Sequence, residues 1–173
     1  MKKSAIHIDP GYFSRYINLA GDTGINETLA EGLEELEQLD LEALERVGDK
    51  TYAPGKWTLK DIFQHMSDTE RVFQYRALRF ARNDSTVLPG FEQDLFAAEA
   101  RAVRRTLDDL IRELLIVRQS SICFFRDLEE ETLQRTGIAS GNRLSVLAIG
   151  FVIAGHQVHH LNIIREKYLT LPG

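Results

Sequence analysis

Four stretches of the chain carry apolar residues at helical spacing. Apolar positions recur every three or four residues from about 24 to 47, from 59 to 81, from 95 to 127 and from 145 to 168, which predicts a helix in each stretch. The last stretch is apolar nearly all round in its first half, which is typical of a helix at the centre of a bundle. The pattern therefore predicts an all-α protein, a four-helix bundle around one core and without strands.

Turn and capping signals mark where these helices begin and end. Thr58, followed three residues later by Asp61, resembles a capping box and predicts Thr58 as the N-cap of the second helix. Breaks are predicted at Pro54-Gly55 and at Pro89-Gly90. The second break lies in "RNDSTVLPGFEQD", which suits either a lid or a plain connection. The first twenty or so residues contain the turn signals "DPGYF" and "GDTG" and are expected to form an irregular N-terminal arm.

Composition and charge narrow the class of protein. Of the 173 residues, 43% are apolar and 27% charged, which suits a single globular domain over residues 1–173 with its core in about 24–169. The net charge of −5 offers no basic face, so nucleic acid is not expected as a partner. Asp9 and Pro10 interrupt the basic start, so no secretory signal is expected, and no window approaches the roughly 18 apolar residues of a membrane span. The single Cys123 is expected to be a small core residue in a cytoplasmic protein.

Three of the five histidines lie in one apolar segment, "AGHQVHHLNII". His156 and His160 are four residues apart, so on a helix they project from one face with Cβ atoms about 6 Å apart. Such a pair can present two imidazole nitrogens to one metal ion at about 2.0–2.1 Å. The same spacing also suits two core histidines that are satisfied by hydrogen bonds.

A histidine on the second predicted helix favours the metal interpretation. His65 lies beside the apolar stripe of that helix, and a polar ring that faces the interior needs a partner. Metal ligands in helix bundles project inward from facing helices. His65, His156 and His160 would form a three-nitrogen site with open coordination positions, the pattern of a catalytic metal. His159 shares a face with His156 as well and is expected to support the site or line its cavity, whereas His7 is expected to have no role.

Two longer segments carry a resemblance to a known family. "YAPGKWTLKDIFQHMSDTERVFQYRALRFARND" (Tyr52–Asp84) and "NRLSVLAIGFVIAGHQVHHLNIIREKYL" (Asn142–Leu169) resemble the two signatures of the DinB/YfiT-like metal-binding superfamily. The similarity runs from about residue 12 to 169. The resemblance implies a four-helix bundle of unusual connectivity that binds a divalent metal ion. By position in the motifs, the ligands would be His65, His156 and His160.

The resemblance leaves several activities open. The superfamily includes enzymes that use a low-molecular-weight thiol such as bacillithiol or mycothiol, and others described as metal-dependent hydrolases. A three-histidine ion suits either, because it can hold a thiolate or lower the pKa of a bound water toward about 7. The leading expectation is a thiol S-transferase that acts on small electrophiles. The alternatives are a metal-dependent hydrolase and a non-catalytic, stress-associated metal-binding module. The metal is expected to be zinc, nickel or iron, and the assembly a homodimer.

Candidate acid–base groups are few. Glu70, about one turn after His65, is the single carboxylate that we consider as a general base, and the alternative for it is a surface ion pair with Arg71 or a contact with Gln74. Trp57 is expected to anchor the start of the second helix. A carboxylate near the metal would favour hydrolysis, whereas a pocket long enough for a thiol sugar would favour transfer.

Overall fold

The structure, a computed structural model, describes residues 1–172 and is mostly helical. These residues form eight α-helices and one β-hairpin: α1 Ser14–Ile17, α2 Ile25–Glu37, α3 Leu41–Val47, α4 Leu59–Ala81, α5 Gln93–Ala100, α6 Leu107–Arg126, α7 Glu130–Gln134, β1 Thr136–Ala139, β2 Asn142–Ser145 and α8 Val146–Ile163. A π-helical turn, Ile164–Tyr168, continues α8. Short 3₁₀ turns lie at Lys3–Ala5, Gly11–Phe13 and Ala102–Arg104.

The four long helices α2, α4, α6 and α8 form the predicted bundle. Both α2 and α4 pack against α6 and against α8. The first two long helices, α2 and α4, therefore lie diagonally across the bundle from each other. The last two, α6 and α8, do so as well. This order makes α4 and α8, the two histidine-bearing helices, direct neighbours although α6 lies between them in the chain. The four-helix bundle and its unusual connectivity are confirmed.

Side-chain caps fix where the long helices begin. The Oγ1 of Thr58 accepts a hydrogen bond from the Asp61 amide at 3.2 Å, and the Asp61 carboxylate accepts from the Thr58 amide at 3.0 Å. This reciprocal arrangement satisfies two amides that the helix itself leaves without partners. The predicted capping box is confirmed, and α4 ends at Ala81 as predicted. Ser145 caps α8 in a similar way, accepting from the Ala148 amide at 3.0 Å.

Two of the predicted helices are in fact pairs of helices. The segment predicted from 24 to 47 divides into α2 and α3, because the Asp40 side chain accepts from the Ala43 amide at 2.9 Å and caps a new helix. The segment predicted from 95 to 127 divides into α5 and α6, because Arg101 takes a left-handed conformation with φ of 51°. Apolar residues continue at similar spacing through both breaks, so the periodic pattern alone did not reveal them.

The expectation that the chain has no strands is wrong. β1 and β2 pair in antiparallel fashion, with Thr136 opposite Ser145. The turn residues Ser140 and Gly141 have φ of 50° and 75°, the two-residue turn whose twist matches a hairpin. Leu88 lies against this hairpin: its amide donates to the Ile138 carbonyl at 2.9 Å. Each strand is four residues long, too short for alternation to stand out.

The apolar core consists of two clusters that occupy different ends of the long helices. One surrounds the first half of α8, and the other surrounds Phe63 and Leu161. Between them lies a layer of buried polar side chains: His65, Thr69, Glu70, Arg118, His156, Gln157 and His160. We call this set the polar layer. The candidate site therefore lies inside the bundle and not at its surface.

Helix α8 is the most apolar element because it runs through the middle of the protein. The span Val146–Tyr168 has the length and the mean hydropathy, 1.3, of a membrane-crossing helix, but 78% of that apolar window is buried inside the protein. Burial on all sides accounts for its composition. The expectation that no segment is apolar enough to span a membrane is therefore wrong, because α8 and the turn that continues it have the required length and composition. In this fold the helix is a core helix.

The N-terminal arm is more ordered than predicted. Its residues form two 3₁₀ turns and α1, and α1 packs on α8 and buries Tyr16 and Ile17. Gly155 permits this contact, because a Cβ at position 155 would lie 1.8 Å from the Tyr16 carbonyl oxygen. Because Gly155 has no side chain, the backbone of the arm can lie against the helix that carries two of the histidines.

We expect Gly155→Ala to lower the stability of the protein. In a helix interior, alanine is more favourable than glycine by about 1 kcal/mol. The added methyl group would nevertheless displace the α1 backbone, and overpacking a core costs about 1–3 kcal/mol or more. Urea unfolding followed by circular dichroism measures the net change. Gly24→Ala is the control, because a Cβ there has no heavy atom within 4 Å. A Gly155→Ala protein as stable as wild type would contradict the close contact.

Candidate metal centre

Helices α4 and α8 bring three imidazole nitrogens to one point. The Nε2 atom of His156 lies 3.1 Å from Nε2 of His65 and 3.1 Å from Nε2 of His160. The three residues offer ligand atoms that all lie within 4.8 Å of one another. Two nitrogens bound to one tetrahedral zinc ion at 2.0–2.1 Å are about 3.3 Å apart. The spacing therefore fits a single divalent ion.

The ring orientations leave nitrogen lone pairs pointing at each other. The Nδ1 of His65 lies 3.3 Å from the Thr69 hydroxyl, so a proton on Nδ1 can be donated to that oxygen while Nε2 keeps its lone pair. The Nδ1 of His160 is buried with no hydrogen-bond partner among residues 1–172. A proton on one Nε2 can satisfy one neighbour, whereas a divalent cation satisfies all three lone pairs at once. The residues present therefore fit a metal ion.

Burial keeps these histidines neutral. Burial lowers the pKa of His65 to about 4, with a smaller contribution from the nearby His159. Burial also lowers the pKa of His156 and of His160 well below the ordinary value of 6.5, and the mutual repulsion of neighbouring imidazolium charges lowers both further. At neutral pH all three rings are uncharged, the state in which imidazole binds a metal.

Aromatic side chains that the sequence analysis did not assign to the site surround the triad. The Tyr16 ring lies edge-on to His156, with 5.2 Å between centroids, and the Trp57 ring lies 4.6 Å from His65. Trp57 thus contacts a metal-ligand candidate besides preceding the helix start that it was expected to anchor. The sequence did contain a signal for Tyr16: Gly155, next to His156 in a buried helix, indicates a close approach of another backbone segment.

The other predicted histidines lie outside the triad. His159 is half-buried, and its ring lies edge-on between Tyr16, at 5.5 Å, and His160, at 5.0 Å. It therefore supports the rings of the site without joining the group of converging nitrogens. His7 is exposed in the N-terminal arm.

The carboxylate of Glu70 is engaged elsewhere. Glu70 is buried, and its two oxygens accept from Nε and Nη2 of Arg118 at 2.9 Å each. The surface ion pair that we considered for it is therefore wrong, because the partner is a buried arginine on α6. Arg118 approaches α2 at Gly32, where a Cβ would lie 2.4 Å from its Nη1. This pair supports the triad from one side and does not present Glu70 to it as a free base.

The expectation that Cys123 is a core residue is wrong. Cys123 is exposed on α6, between the half-buried Ile122 and Phe124. The apolar residues next to Cys123 in the sequence therefore do not bury its thiol. Cys123 lines neither of the cavities that contact the triad.

Two cavities large enough for a small molecule contact the triad, besides a void of about 10 Å³ next to His156. The first, about 370 Å³, is lined by His160 together with Trp57, Lys56 and Tyr168. The second, about 360 Å³, is lined by His65 and His156 together with Tyr16, Arg76 and Phe91. Gln93 lines both cavities. Phe91 and Glu92, in the connection that precedes α5, line the second cavity. This connection, which the sequence left open as a lid or a plain connection, is thus a wall of the site.

Comparisons with known proteins agree with this fold. The DinB superfamily pattern matches residues 25–164, and the chain belongs to that superfamily. A protein of Oceanobacillus iheyensis named "putative metal-dependent hydrolase" is 26% identical over 114 residues. The matched region is 65% of this chain and 65% of that relative, just under two thirds of the length of each. YfiT from Bacillus subtilis, described as "a probable metal-dependent hydrolase with an unusual four-helix bundle topology", superposes with a TM-score of 0.64 at 14% identity. That superposition covers 92% of this chain and 87% of YfiT, and it confirms the fold.

We expect purified, untagged protein to hold close to one divalent ion per chain. His65→Ala, His156→Ala and His160→Ala should each lose it, because each substitution removes one of the converging nitrogens. His159→Ala is the matched control and should keep the ion, since its ring lies outside that group. Elemental analysis of the variants, before and after addition of zinc, measures the content. Wild-type protein that takes up no ion would contradict the metal centre.

We also expect the metal-free protein to lose stability as the pH falls. The pKa of each triad histidine is lower in the folded chain than the ordinary 6.5, so the unfolded state binds more protons below pH 6.5. The free energy of unfolding then falls by about 1.4 kcal/mol per pH unit for each such group until its folded-state pKa is reached. Urea unfolding between about pH 7 and pH 5 measures the slope. A flat profile in wild type would refute the assignment.

Proposed function

We propose that the protein is a divalent-metal-dependent enzyme that transfers a low-molecular-weight thiol to small electrophiles. The observation that carries this proposal is the pair of cavities beside the histidine triad, of about 370 and 360 Å³, each in the size range of small-molecule sites. A reaction between two small molecules needs two such spaces that meet at the reacting centre. When bound, a divalent ion would lower the pKa of a coordinated thiol or water, so that either becomes a nucleophile near neutral pH.

The side chains of the protein would hold and orient the reactants. His65, His156 and His160 would provide the metal ligands, and the Thr69 hydroxyl fixes the ring of His65. The Tyr168 hydroxyl donates to the Trp57 carbonyl, which holds the indole of that tryptophan at the wall of the first cavity. Burial raises the pKa of Tyr168 to about 12, so this hydroxyl keeps its proton at neutral pH.

The surroundings of the triad support transfer more than hydrolysis. Among residues 1–172, none of the three imidazoles shares a hydrogen bond with a carboxylate, and Glu70 is held by Arg118. Hydrolysis by an activated water benefits from a carboxylate base beside that water. A thiol that is already held as its thiolate needs no such base.

Hydrolysis is the second candidate, and specific observations favour it too. Two similar proteins, the one from Oceanobacillus iheyensis and YfiT, carry descriptions as metal-dependent hydrolases. Glu92 and Asp94 line the second and the first cavity, respectively, and a movement of either side chain could supply a base. A non-catalytic metal-binding module has less support, because it has no need for cavities at the triad. The homodimer and the cytoplasmic location stay predictions.

A direct comparison of two reactions tests the proposal. Zinc- and nickel-loaded protein is given cysteine or bacillithiol with 1-chloro-2,4-dinitrobenzene, a reaction in which a sulfur–carbon bond forms and chloride leaves. The same samples are given p-nitrophenyl acetate without a thiol. We expect conjugate formation at least tenfold above the uncatalysed rate in wild type and in His159→Ala, and only the uncatalysed rate in His156→Ala. Absorbance and mass spectrometry report the products.

The acidic side chains distinguish the two candidates. Because transfer needs no carboxylate base, the double variant Glu92→Gln with Asp94→Asn should keep the conjugation rate within about twofold of wild type. The opposite outcome is that wild type hydrolyses the ester but forms no conjugate, and that the double variant loses this hydrolysis. The function would then be that of a hydrolase and not of a transferase. Neither reaction in a protein that holds one ion per chain would overturn both.

A further inference from the structure

The second cavity contains a buried arginine that lies on the same helix as His65. Arg76 follows His65 by eleven residues on α4, about three turns, so both side chains emerge from the same face. Arg76 is 2% exposed. Its guanidinium lies over the Phe73 ring, at 5.2 Å from the centroid, and near the Phe91 ring at 6.0 Å. Both aromatic rings line the cavity with it.

The charge of this guanidinium has no acidic partner. Nη2 of Arg76 donates to the Pro89 carbonyl at 2.9 Å and to the Ser140 hydroxyl at 2.8 Å, and both acceptors are neutral. The ion pairs within 4.0 Å among residues 1–172 do not include Arg76. Arg118 is similarly buried, but its charge is paired with Glu70, which accepts from its Nε and Nη2.

An unpaired buried cation is costly, which suggests that a counter-charge comes from a ligand. Removing a charge from water without a partner is strongly unfavourable, and burial lowers the pKa of Arg76 below its ordinary value. A guanidinium has five N–H donors. Only Nη2 of Arg76 has hydrogen-bond partners among the described residues, so the donors on Nη1 and Nε are free for a ligand.

A second cation adds positive potential on the same side of the triad. Arg15 is exposed, and its guanidinium lies 4.2 Å from the Tyr12 centroid and 4.5 Å from the Tyr16 centroid. Both tyrosines line the second cavity. Glu92 is the acidic residue of that lining, and it is exposed at the rim and not paired with Arg76. The buried part of the cavity is therefore positive, which attracts anions.

We propose that Arg76 binds the anionic group, a carboxylate or a phosphate, of a substrate whose other end reaches the histidine triad. This inference rests on the proposed function of the triad and assigns it a class of substrate. His65 and Arg76 are about 16 Å apart along the axis of α4. Side chains on a helix lean toward its N-terminus, and because both His65 and Arg76 do so, a gap on the order of 10–15 Å remains for the ligand and the contacts at its two ends. An anionic molecule with a backbone of about six to eight atoms fits this span.

A purely structural role explains only part of these contacts. Arg76 does connect α4 to the connection that contains Pro89 and to the hairpin turn at Ser140. A neutral donor could make the same two hydrogen bonds without the cost of burying a charge. The two roles differ in one measurable property, which is the preference of the second cavity for a charged over a neutral ligand of the same shape.

Binding of hexanoate and of its neutral analogue hexanamide tests the proposal. Metal-free protein is the main sample, because carboxylates also bind zinc. We expect isothermal titration calorimetry to show hexanoate binding at least tenfold tighter than hexanamide to wild type. The preference should disappear in Arg76→Gln and remain in Arg79→Gln. Arg79 is the matched control, since it lies about one turn further on α4, is half-buried and is paired with Asp84. Butyl phosphate in the same titration distinguishes a phosphate from a carboxylate site.

The possible outcomes separate this proposal from the metal centre. Equal or undetectable binding of all three probes to wild type would overturn the role of Arg76, and so would a preference for anions that survives in a folded Arg76→Gln. If Arg76→Gln does not fold, the wild-type comparison and Arg76→Lys, which keeps the charge and should keep the preference, still decide. An anion preference in a protein that binds no metal would refute the proposed function and leave the anion site in place. A protein that binds the metal but shows no preference for anions would refute the role of Arg76 and leave the metal centre in place.

Discussion

The burial of polar groups between two apolar clusters is the constraint on which this structure depends. Every member of the polar layer has lost water and needs a partner inside the bundle. Glu70 accepts hydrogen bonds from two nitrogens of Arg118, and the Gln157 amide donates to the Gly32 carbonyl at 2.9 Å. The three histidines face one another and share no acidic partner, so a cation among them would satisfy the nitrogen lone pairs that face each other. Such an ion would tie α4 to α8 in addition to their apolar packing.

Small residues decide which segments can reach this layer. Gly32 in α2 leaves room for the guanidinium of Arg118, and Gly155 in α8 leaves room for the backbone of α1. Without the second contact, Tyr16 would not lie against His156, and the second cavity would lose one of its aromatic walls. The two glycines lie in helix interiors, where glycine is unfavourable. Their cost is offset by the ion pair and the aromatic contact that they permit.

The sequence predicted what depends on spacing along one helix and missed what depends on contacts between distant segments. The long helices and the pair His156 and His160 follow from residues a few positions apart, whereas His65 was added because it faces the interior from another helix and because of the family resemblance. The partner of Glu70, by contrast, lies 48 residues further along the chain, and its choice depends on the helix order in the bundle. The exposure of Cys123 also depends on which face of α6 meets the core. Breaks at Asp40 and Arg101 escaped detection because caps and single backbone angles leave apolar periodicity intact.

The site divides its tasks between two kinds of structure. The metal-ligand candidates lie on two long helices, whereas much of the cavity walls comes from connecting segments: the arm around Tyr16, the turn before Trp57, and the connection around Phe91. Connecting segments tolerate substitution and insertion far better than packed helices do. Evolution can therefore exchange the walls, and with them the molecules that are admitted, while the ion and its ligands stay as they are. A superfamily built on this plan can diversify its chemistry without refolding its core.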